Sequence, residues 1–187
     1  MEIRCPAAES AIFLDQVGLR RQHVRVSELD PEILEYYQRG REAGRLVGEF
    51  PSGPLELVRT QELISRHLPP GPLDVLDVGG GPGVYASWLA DRGDRVRLVD
   101  PVPLHVEQAA ARDSRITAEL GDARRLAASD ASADALLLLG PLYHLTEATG
   151  RQAALQEAHR VLRPGGWLFS AAISRWAALV TMATHRP

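Results

Sequence analysis

The stretch LDVLDVGGGPG, residues 73–83, decides the fold because it passes from a strand pattern to a glycine-rich turn. A short apolar run comes first, three glycines follow at positions 79, 81 and 83, and residues 84–92 have the apolar spacing of a helix. Glycines lack side chains, and the start of a helix offers free N–H groups, so this turn is suited to hold a ligand against the backbone. A tight glycine turn that binds nothing is the plain alternative.

Strand and helix patterns alternate along the chain around this turn. The predicted strands are Leu73–Val78, Arg95–Asp100, Arg115–Leu120, Asp134–Leu139 and Trp167–Ile173, and the helices between them cover 84–92, 103–112 and 148–162. Such an alternation with short links predicts an α/β fold with a doubly wound, mainly parallel sheet of five strands flanked by helices. In that architecture ligands bind outside the carboxyl ends of the strands.

Two further helices are predicted before the sheet, separated by a break at residues 50–54. The first begins at Asp30-Pro31-Glu32 and places Ile33, Tyr37, Gly40, Gly44 and Val47 on one face; the second turns Leu57, Val58, Leu63, Ile64 and Leu68 inward. We therefore expect a poorly ordered leader over 1–29, a helical lead-in or lid over 30–70, a ligand-binding domain over 71–174 and a short tail over 175–187.

Composition excludes several classes of function. The 187 residues carry a formal net charge of -3, which provides no field to attract nucleic acid or anionic lipid. The single cysteine, Cys5, excludes an internal disulfide and a multi-cysteine metal site, and no two of the six histidines have neighbours suited to a metal. The longest apolar run, Ala135 to Leu139, is far shorter than the ~20 residues of a membrane span. We predict a cytoplasmic protein without metal, nucleic-acid or membrane partners.

Three acidic residues stand at the ends of three successive predicted strands: Asp77, Asp100 and Asp122. A carboxylate at Asp77 would repel a phosphate, but it suits a ligand that carries a positive charge or an amino group. Asp100 lies 23 residues after Asp77, where a carboxylate can accept hydrogen bonds from both hydroxyls of a ribose. Together they describe a pocket for a nucleoside with a positive tail. The alternative for each is a solvated aspartate at a strand end.

At this point the sequence resembles the class I S-adenosylmethionine-dependent methyltransferases. VLDVGGGPG resembles the first motif of that family, RVRLVDP the second, GDARRL the third, DALLLLGPLYHL the strand that faces the methyl donor, and EAHRVLRPGGWLF the turn into the fifth strand. The resemblance implies a Rossmann-like fold and S-adenosylmethionine as the cofactor. The positions it implies for cofactor binding are Asp77, Gly79, Gly81, Gly83, Asp100 and Pro101 at the ribose, Asp122 and Ala123 at the adenine, and Leu139.

The lead-in YYQRGREAGRL also resembles that of small bacterial methyltransferases, in which this helix lies over the cofactor. The resemblance implies that Tyr36, Tyr37 and Arg45 contact the amino-acid end of the cofactor. In the alternative interpretation, Tyr37 is a core contact and Arg45 belongs to a solvated helix face.

Methyl transfer from a sulfonium needs a nucleophile held in line with the methyl group and a dry site, and a general base is optional. His144 is the best placed base, just beyond the fourth strand, with Tyr143 beside it; a helix-capping histidine and a tyrosine that walls the pocket are the alternatives. Gly140 precedes Pro141 where methyltransferases of nucleic-acid and protein amino groups have asparagine or aspartate. We therefore expect an O, N or C nucleophile of a small molecule.

Complete members of the family have seven strands, whereas 14 residues follow the fifth predicted strand here. We expect the last two strands to be missing and the edge of the fifth strand to be open to self-association or to a partner. One alternative is thus a truncated, catalytically weak remnant that binds the cofactor. The other is an NAD(P)-dependent oxidoreductase, because residues 81–86 fit the dinucleotide fingerprint, although Asp77 and Asp122 would have no role there.

Overall fold

A computed structural model describes residues 31–49 and 52–177 of the chain. The elements in chain order are α1 (Pro31–Gln38), α2 (Glu42–Gly44), a wide helical turn (Arg45–Glu49), α3 (Gly53–Ser65), β1 (Asp74–Val78), α4 (Val84–Asp91), β2 (Arg95–Asp100), α5 (Pro103–Arg112), β3 (Thr117–Leu120), β4 (Ala133–Leu138), α6 (Pro141–His144), α7 (Ala148–Val161) and β5 (Leu162–Ser170). The predicted leader over 1–29 and most of the tail predicted over 175–187 lie outside the described residues.

The five strands form one sheet in the order β3-β2-β1-β4-β5, and every neighbouring pair is parallel. The prediction of a parallel α/β sheet with flanking helices is confirmed. Because β1 lies between β2 and β4, the direction in which strands are added reverses at β1. A crevice is expected at the carboxyl end of β1, which is where the glycine turn lies.

Alternate residues of the inner strands feed two separate apolar cores, one on each face of the sheet. On β1, Val75 packs with α3, α4 and α5, whereas Leu76 and Val78 pack on the opposite face against α7. The consecutive leucines of β4, 136–138, are all at most 1% exposed, as a strand covered on both faces requires. Burying each contributes on the order of 1.5–3 kcal/mol, so β4 anchors both layers.

The fifth strand differs from its prediction at both ends. It begins at Leu162 and ends at Ser170, and Ile173 lies beyond it with 63% of its surface exposed. The strand stops there because its partner β4 ends at Leu138, which is paired with Ser170. Trp167 and Leu168 on β5 are 42% and 37% exposed.

The lead-in is less regular than the predicted pair of helices. The expected continuous first helix is wrong, because Gly40 adopts a positive φ of 71° between α1 and α2. Val47, expected on the buried face, is 57% exposed. In α3 the buried line runs through Ile64, and Val58 and Leu63 lie on either side of it at 62% and 41% exposure, which corrects their predicted inward position.

Over residues 31–49 and 52–177, no helix has the length and apolar character needed to cross a bilayer. The same ranges bring together no group of three or more histidine, cysteine, aspartate or glutamate side chains that could hold a metal ion.

Candidate functional site

A cavity of about 340 Å³ opens at the carboxyl ends of β1, β2 and β4. The glycine turn forms its floor, and the ends of β2 and β3 form one side. Residues 139–147, after β4, form the other side, and the lead-in helices lie across the top. The site therefore combines the glycine turn, the ends of β2 and β3 and the segment after β4 with the lead-in, which precedes the sheet.

The three glycines of the turn have different physical reasons to lack a side chain. All three have positive φ: 69° at Gly79, 55° at Gly81 and 78° at Gly83. A Cβ on Gly79 would lie 2.7 Å from the ring of Pro141, and one on Gly83 would lie 3.0 Å from the Cβ of Ala109. A Cβ on Gly81 would meet nothing closer than Cγ of Glu42 at 3.9 Å, an ordinary contact, so of the three glycines only Gly81 leaves room for a side chain on the cavity side.

Asp77, the last residue but one of β1, is the most deeply buried acid of the site. Its side chain is 2% exposed, and its Oδ2 atom has no hydrogen-bond partner. Burial raises the pKa of Asp77 to about 7, and the negative charge of Asp100 adds to this shift. A buried carboxylate without a partner is costly, so a cationic or N–H-bearing ligand group in the cavity would relieve it.

Asp100, at the end of β2, is held by the backbone. One carboxylate oxygen accepts the N–H of Gly81 at 2.9 Å, and the other accepts the N–H of Val102 at 2.9 Å. The second oxygen also lies 3.0 Å from Nδ1 of His105, a histidine that is 3% exposed. These bonds fix the carboxylate at the mouth of the crevice and tie it to the glycine turn.

His105 was not among the residues predicted for the site. A sequence signal for this histidine is present in DPVPLH, residues 100–105. Pro103 marks the start of a helix, and the first turn of that helix faces the end of the preceding strand. The Nε2 atom of His105 is buried and has no hydrogen-bond partner.

Asp122, after β3, forms an ion pair within its own loop. It accepts hydrogen bonds from the backbone N–H of Arg124 at 2.7 Å and from its guanidinium at 2.5 to 3.2 Å. Burial acts to raise the pKa of Asp122, but the bonds from Arg124 outweigh it and lower the pKa below its usual value. Asp122 is therefore charged at neutral pH.

Tyr37 and His144 join the lead-in to the segment after β4. Their Oη and Nε2 atoms are 2.7 Å apart, and the rings meet edge to face at 5.5 Å. Burial lowers the pKa of His144, and burial together with Tyr143 raises the pKa of Tyr37. Both groups are therefore neutral, and the tautomer of His144 sets the direction of the bond: either the Tyr37 hydroxyl donates to Nε2, or Nε2–H donates to the Tyr37 oxygen and Nδ1 keeps the lone pair. Tyr143 packs against His144 at 4.7 Å between ring centres, as a wall of the cavity.

Arg45 is engaged by two glutamates. Its guanidinium donates to Glu56 at 2.7 and 3.0 Å and also to Glu42 in the preceding turn. All three side chains line the cavity. The sequence pointed to Arg45 alone; the glutamates were missed because their approach depends on how α3 packs against the turn at 45–49.

Most of the residues predicted for the site come together at this one cavity. Those that line it are Asp77, Gly79, Gly81, Asp100, Pro101, Asp122, Ala123, Leu139, Tyr37, Arg45, Tyr143 and His144. Gly83 is not among the lining residues; it is the N-cap of α4. Tyr36 is 52% exposed and packs edge-on against Tyr37 at 5.2 Å, outside the lining.

Comparisons with known proteins identify the family and the fold. A family model described as a methyltransferase domain matches residues 75–166, from β1 to the start of β5. The solved structure of a SAM-dependent methyltransferase from Thermotoga maritima superposes with a TM-score of 0.61 at 22% identity, covering 81% of this chain and 67% of that one. The similarity to the Thermotoga maritima structure shows a shared fold.

Two curated proteins extend the comparison. A ubiquinone biosynthesis O-methyltransferase of Methylocella silvestris is 28% identical over 178 residues, which are 83% of this chain and 68% of that protein. A ubiquinone/menaquinone biosynthesis C-methyltransferase of Rubrivivax gelatinosus is 36% identical over 93 residues, which are 49% of this chain and 36% of that protein. The chain thus spans about two thirds of the first relative and about a third of the second.

Proposed function

The chain belongs to the class I S-adenosylmethionine-dependent methyltransferases, and we propose that it transfers a methyl group to an oxygen, nitrogen or carbon nucleophile of a small molecule. The observation that carries the proposal is the buried carboxylate of Asp77, whose Oδ2 lacks a partner beside the open backbone of Gly81. A nucleoside with a positively charged tail fits that combination, whereas a phosphate does not.

S-adenosylmethionine, when bound, supplies an electrophilic methyl group whose bond to sulfur breaks as the nucleophile bonds to carbon, and the sulfonium becomes a neutral thioether. The residues proposed to hold it are Asp100 with Pro101 at the ribose, Asp122 with Ala123 at the adenine, and Asp77 with Gly79, Gly81 and Leu139 along the tail. Tyr37 and Arg45 cover this region from the lead-in. Gly83 supports the turn from below, and Tyr36 supports the position of Tyr37.

His144 is proposed to take the proton that an oxygen or nitrogen nucleophile loses. The lowered pKa of this histidine, caused by burial, keeps the ring neutral at physiological pH, and in the tautomer in which Nε2–H donates to the Tyr37 oxygen the lone pair of Nδ1 is available to take the proton. Tyr37 holds the ring through the bond to Nε2, and Tyr143 packs on the other side. An acceptor that enters next to this group displaces water, which favours transfer to the acceptor rather than hydrolysis.

A small-molecule acceptor is the proposed substrate class. The names of the two curated relatives refer to quinone biosynthesis, which supports a small aromatic or enol-type acceptor for this chain. The negative cavity wall supports a neutral or cationic acceptor rather than a polyanion such as nucleic acid. A cytoplasmic location and self-association along β5, where Trp167 and Leu168 are exposed, stay predictions of the sequence.

Isothermal calorimetry with S-adenosylmethionine, S-adenosylhomocysteine and NAD tests the cofactor. We expect both adenosyl compounds to bind and NAD to give no heat of binding; binding of NAD alone would overturn the assignment. Turnover is then followed as S-adenosylhomocysteine formed with a panel of phenols, enols and amines. Cofactor binding without any turnover on that panel would favour the remnant that binds the cofactor and does not transfer its methyl group.

A further inference from the structure

The side chain of Glu42 forms the wall opposite the open glycine. The atom nearest to a Cβ built on Gly81 is Cγ of Glu42, at 3.9 Å. Glu42 belongs to α2 in the lead-in, and its side chain is 19% exposed. A ligand that lies along the backbone of Gly81 is therefore also next to the side chain of Glu42.

Negative charge exceeds positive charge around this position. Six carboxylates line the cavity against two arginines; the acids are Glu42, Glu56, Asp77, Asp100, Asp122 and Glu147. Arg45 is shared between Glu42 and Glu56, so one positive charge faces two negative ones. In the described part of the chain, Oε2 of Glu42 receives no hydrogen bond.

The charge of Glu42 also reaches the pair that closes the cavity. It contributes to the raised pKa of Tyr37, after burial and Tyr143, and it opposes the lowering of the His144 pKa by burial. Glu42 thus has its Cγ beside the glycine turn and its charge within range of the Tyr37–His144 pair. It is near both the turn proposed to hold the cofactor and the histidine proposed to take the acceptor's proton.

The buried oxygen of Asp77 is an independent sign that the ligand is cationic. This side chain is 98% buried, lines the same cavity and leaves Oδ2 without a donor. An ammonium group can satisfy it by donating a hydrogen bond. A sulfonium has no hydrogen to donate, so a carboxylate recognises it by charge alone. Glu42 can attract the sulfonium in this way without receiving a hydrogen bond from the ligand.

We propose that Glu42 recognises the sulfonium charge of S-adenosylmethionine, so that the site prefers this cofactor to its neutral product S-adenosylhomocysteine. The inference rests on the proposed function. Because the sulfur loses its charge when the methyl group leaves, the attraction of Glu42 is lost at the same step. The product then leaves more readily than the cofactor.

Calorimetry of Glu42→Gln tests this, with S-adenosylmethionine, S-adenosylhomocysteine and 5′-methylthioadenosine as ligands. The glutamine keeps the shape and one acceptor for Arg45. We expect the Kd of S-adenosylmethionine to rise about tenfold and those of the two neutral-sulfur ligands to change about twofold or less. The matched control is Glu62→Gln on α3, an exposed glutamate also paired with arginines, at which no Kd changes.

Equal weakening of S-adenosylmethionine and S-adenosylhomocysteine would overturn the inference, since Glu42 would then sense the ammonium group that both carry. So would an unchanged affinity for S-adenosylmethionine. If the glutamine variant bound no ligand, Glu42→Asp, which keeps the charge, is expected to retain the preference, and its loss there would also overturn the inference. A wild-type chain that bound none of the three ligands would instead refute the proposed function.

Discussion

The Oη atom of Tyr37 and the Nε2 atom of His144 lie 2.7 Å apart although 107 residues separate them in sequence. The bond joins α1 of the lead-in to α6 after β4 and so closes the cavity from above. Tyr37 also packs edge-on against His105, which contacts Asp100. One tyrosine thus links the lead-in to both sides of the crevice.

Tyr37→Phe is expected to lower the free energy of unfolding by about 1 kcal/mol, because a partly buried hydrogen bond is lost and Nε2 of His144 is left unpaired. Urea unfolding followed by circular dichroism measures this. The matched control is Tyr36→Phe, since Tyr36 is 52% exposed and its hydroxyl makes no hydrogen bond among the described residues. Equal losses in the two variants would show that the bond to His144 does not hold the lead-in in place.

His144→Ala is expected to lower the rate of methyl transfer to an oxygen acceptor by ~100-fold or more, the range for loss of a general base. The Kd of S-adenosylmethionine should change by no more than about threefold, since the cofactor is held by other groups. His159→Ala on α7, an exposed histidine, is the control. A larger effect on the Kd than on the rate would make His144 a wall of the pocket.

The pH profile provides a second test of the same group. Burial lowers the pKa of His144, so the ring stays neutral as the pH falls past the value of about 6.5 at which an exposed histidine gains its proton. We expect the rate to fall only below that pH, because a protonated ring cannot accept a proton. A rate that begins to fall at pH 7 or above would contradict this assignment.

The sheet and the strand-end acids were predictable because each depends on local sequence. An apolar run followed by glycines gave β1 and its turn, and the position of Asp100 followed from the length of β2. The irregular lead-in was not predictable in the same way. Gly40 falls at a position that fits the spacing of a helix face, but it adopts a positive φ. The spacing of apolar residues carries no information about the φ angle of a glycine.

The partners within the site depend on contacts that spacing does not encode. Glu42 and Glu56 meet at Arg45 because α3 folds back against the turn before it. Asp100 was predicted as a ligand group, whereas the structure shows that it also accepts backbone N–H groups from Gly81 and Val102. The position of an acid at a strand end can thus be predicted from the sequence, whereas the hydrogen bonds that it accepts from the backbone cannot.

Asp100→Ala is accordingly expected to change both the affinity for the cofactor and the stability of the fold. It should weaken binding of S-adenosylmethionine by ~1–3 kcal/mol, and it should destabilise the fold because two buried N–H groups lose their acceptor. Calorimetry measures the first effect and urea unfolding measures the second. Loss of stability with unchanged affinity would contradict the ribose-binding role and leave Asp100 with a structural one.

Gly81→Val should abolish cofactor binding, because the new side chain enters the open cavity rather than the protein interior. The variant should also lose ~1–3 kcal/mol of stability, since a branched residue is strained at a φ of 55°. Gly93→Val separates the two effects: Gly93 has a φ of 92° and open space around it, away from the cavity. It should lose stability and keep its affinity. A Gly81→Val protein that still binds the cofactor would refute the proposed ligand position.

Because the pKa of Asp77 is raised in the folded protein, its contribution to stability should fall as the pH rises, the opposite of the usual effect of an aspartate. Burial raises the pKa of its carboxyl to about 7 in the folded protein, whereas an unfolded chain releases this proton near pH ~3.9. Between those values the folded state holds a proton that the unfolded state has lost. The contribution of Asp77 to the free energy of unfolding therefore falls as the pH rises from about 4 to about 7, by at most ~4 kcal/mol.

Asp77→Asn cannot ionise, so it should be close to the wild type in stability at pH 5 and more stable than the wild type at pH 8. Urea unfolding of both proteins at the two pH values measures the difference. Asp130→Asn is the control, because it removes the same charge from a side chain that is 79% exposed and ion-paired with Arg160. The difference between Asp77→Asn and wild type must grow with pH while the control difference does not. A wild type that is the more stable protein at pH 8 would show that Asp77 is ionised with a partner in the folded state, and the argument for a cationic ligand at its Oδ2 would fail with it.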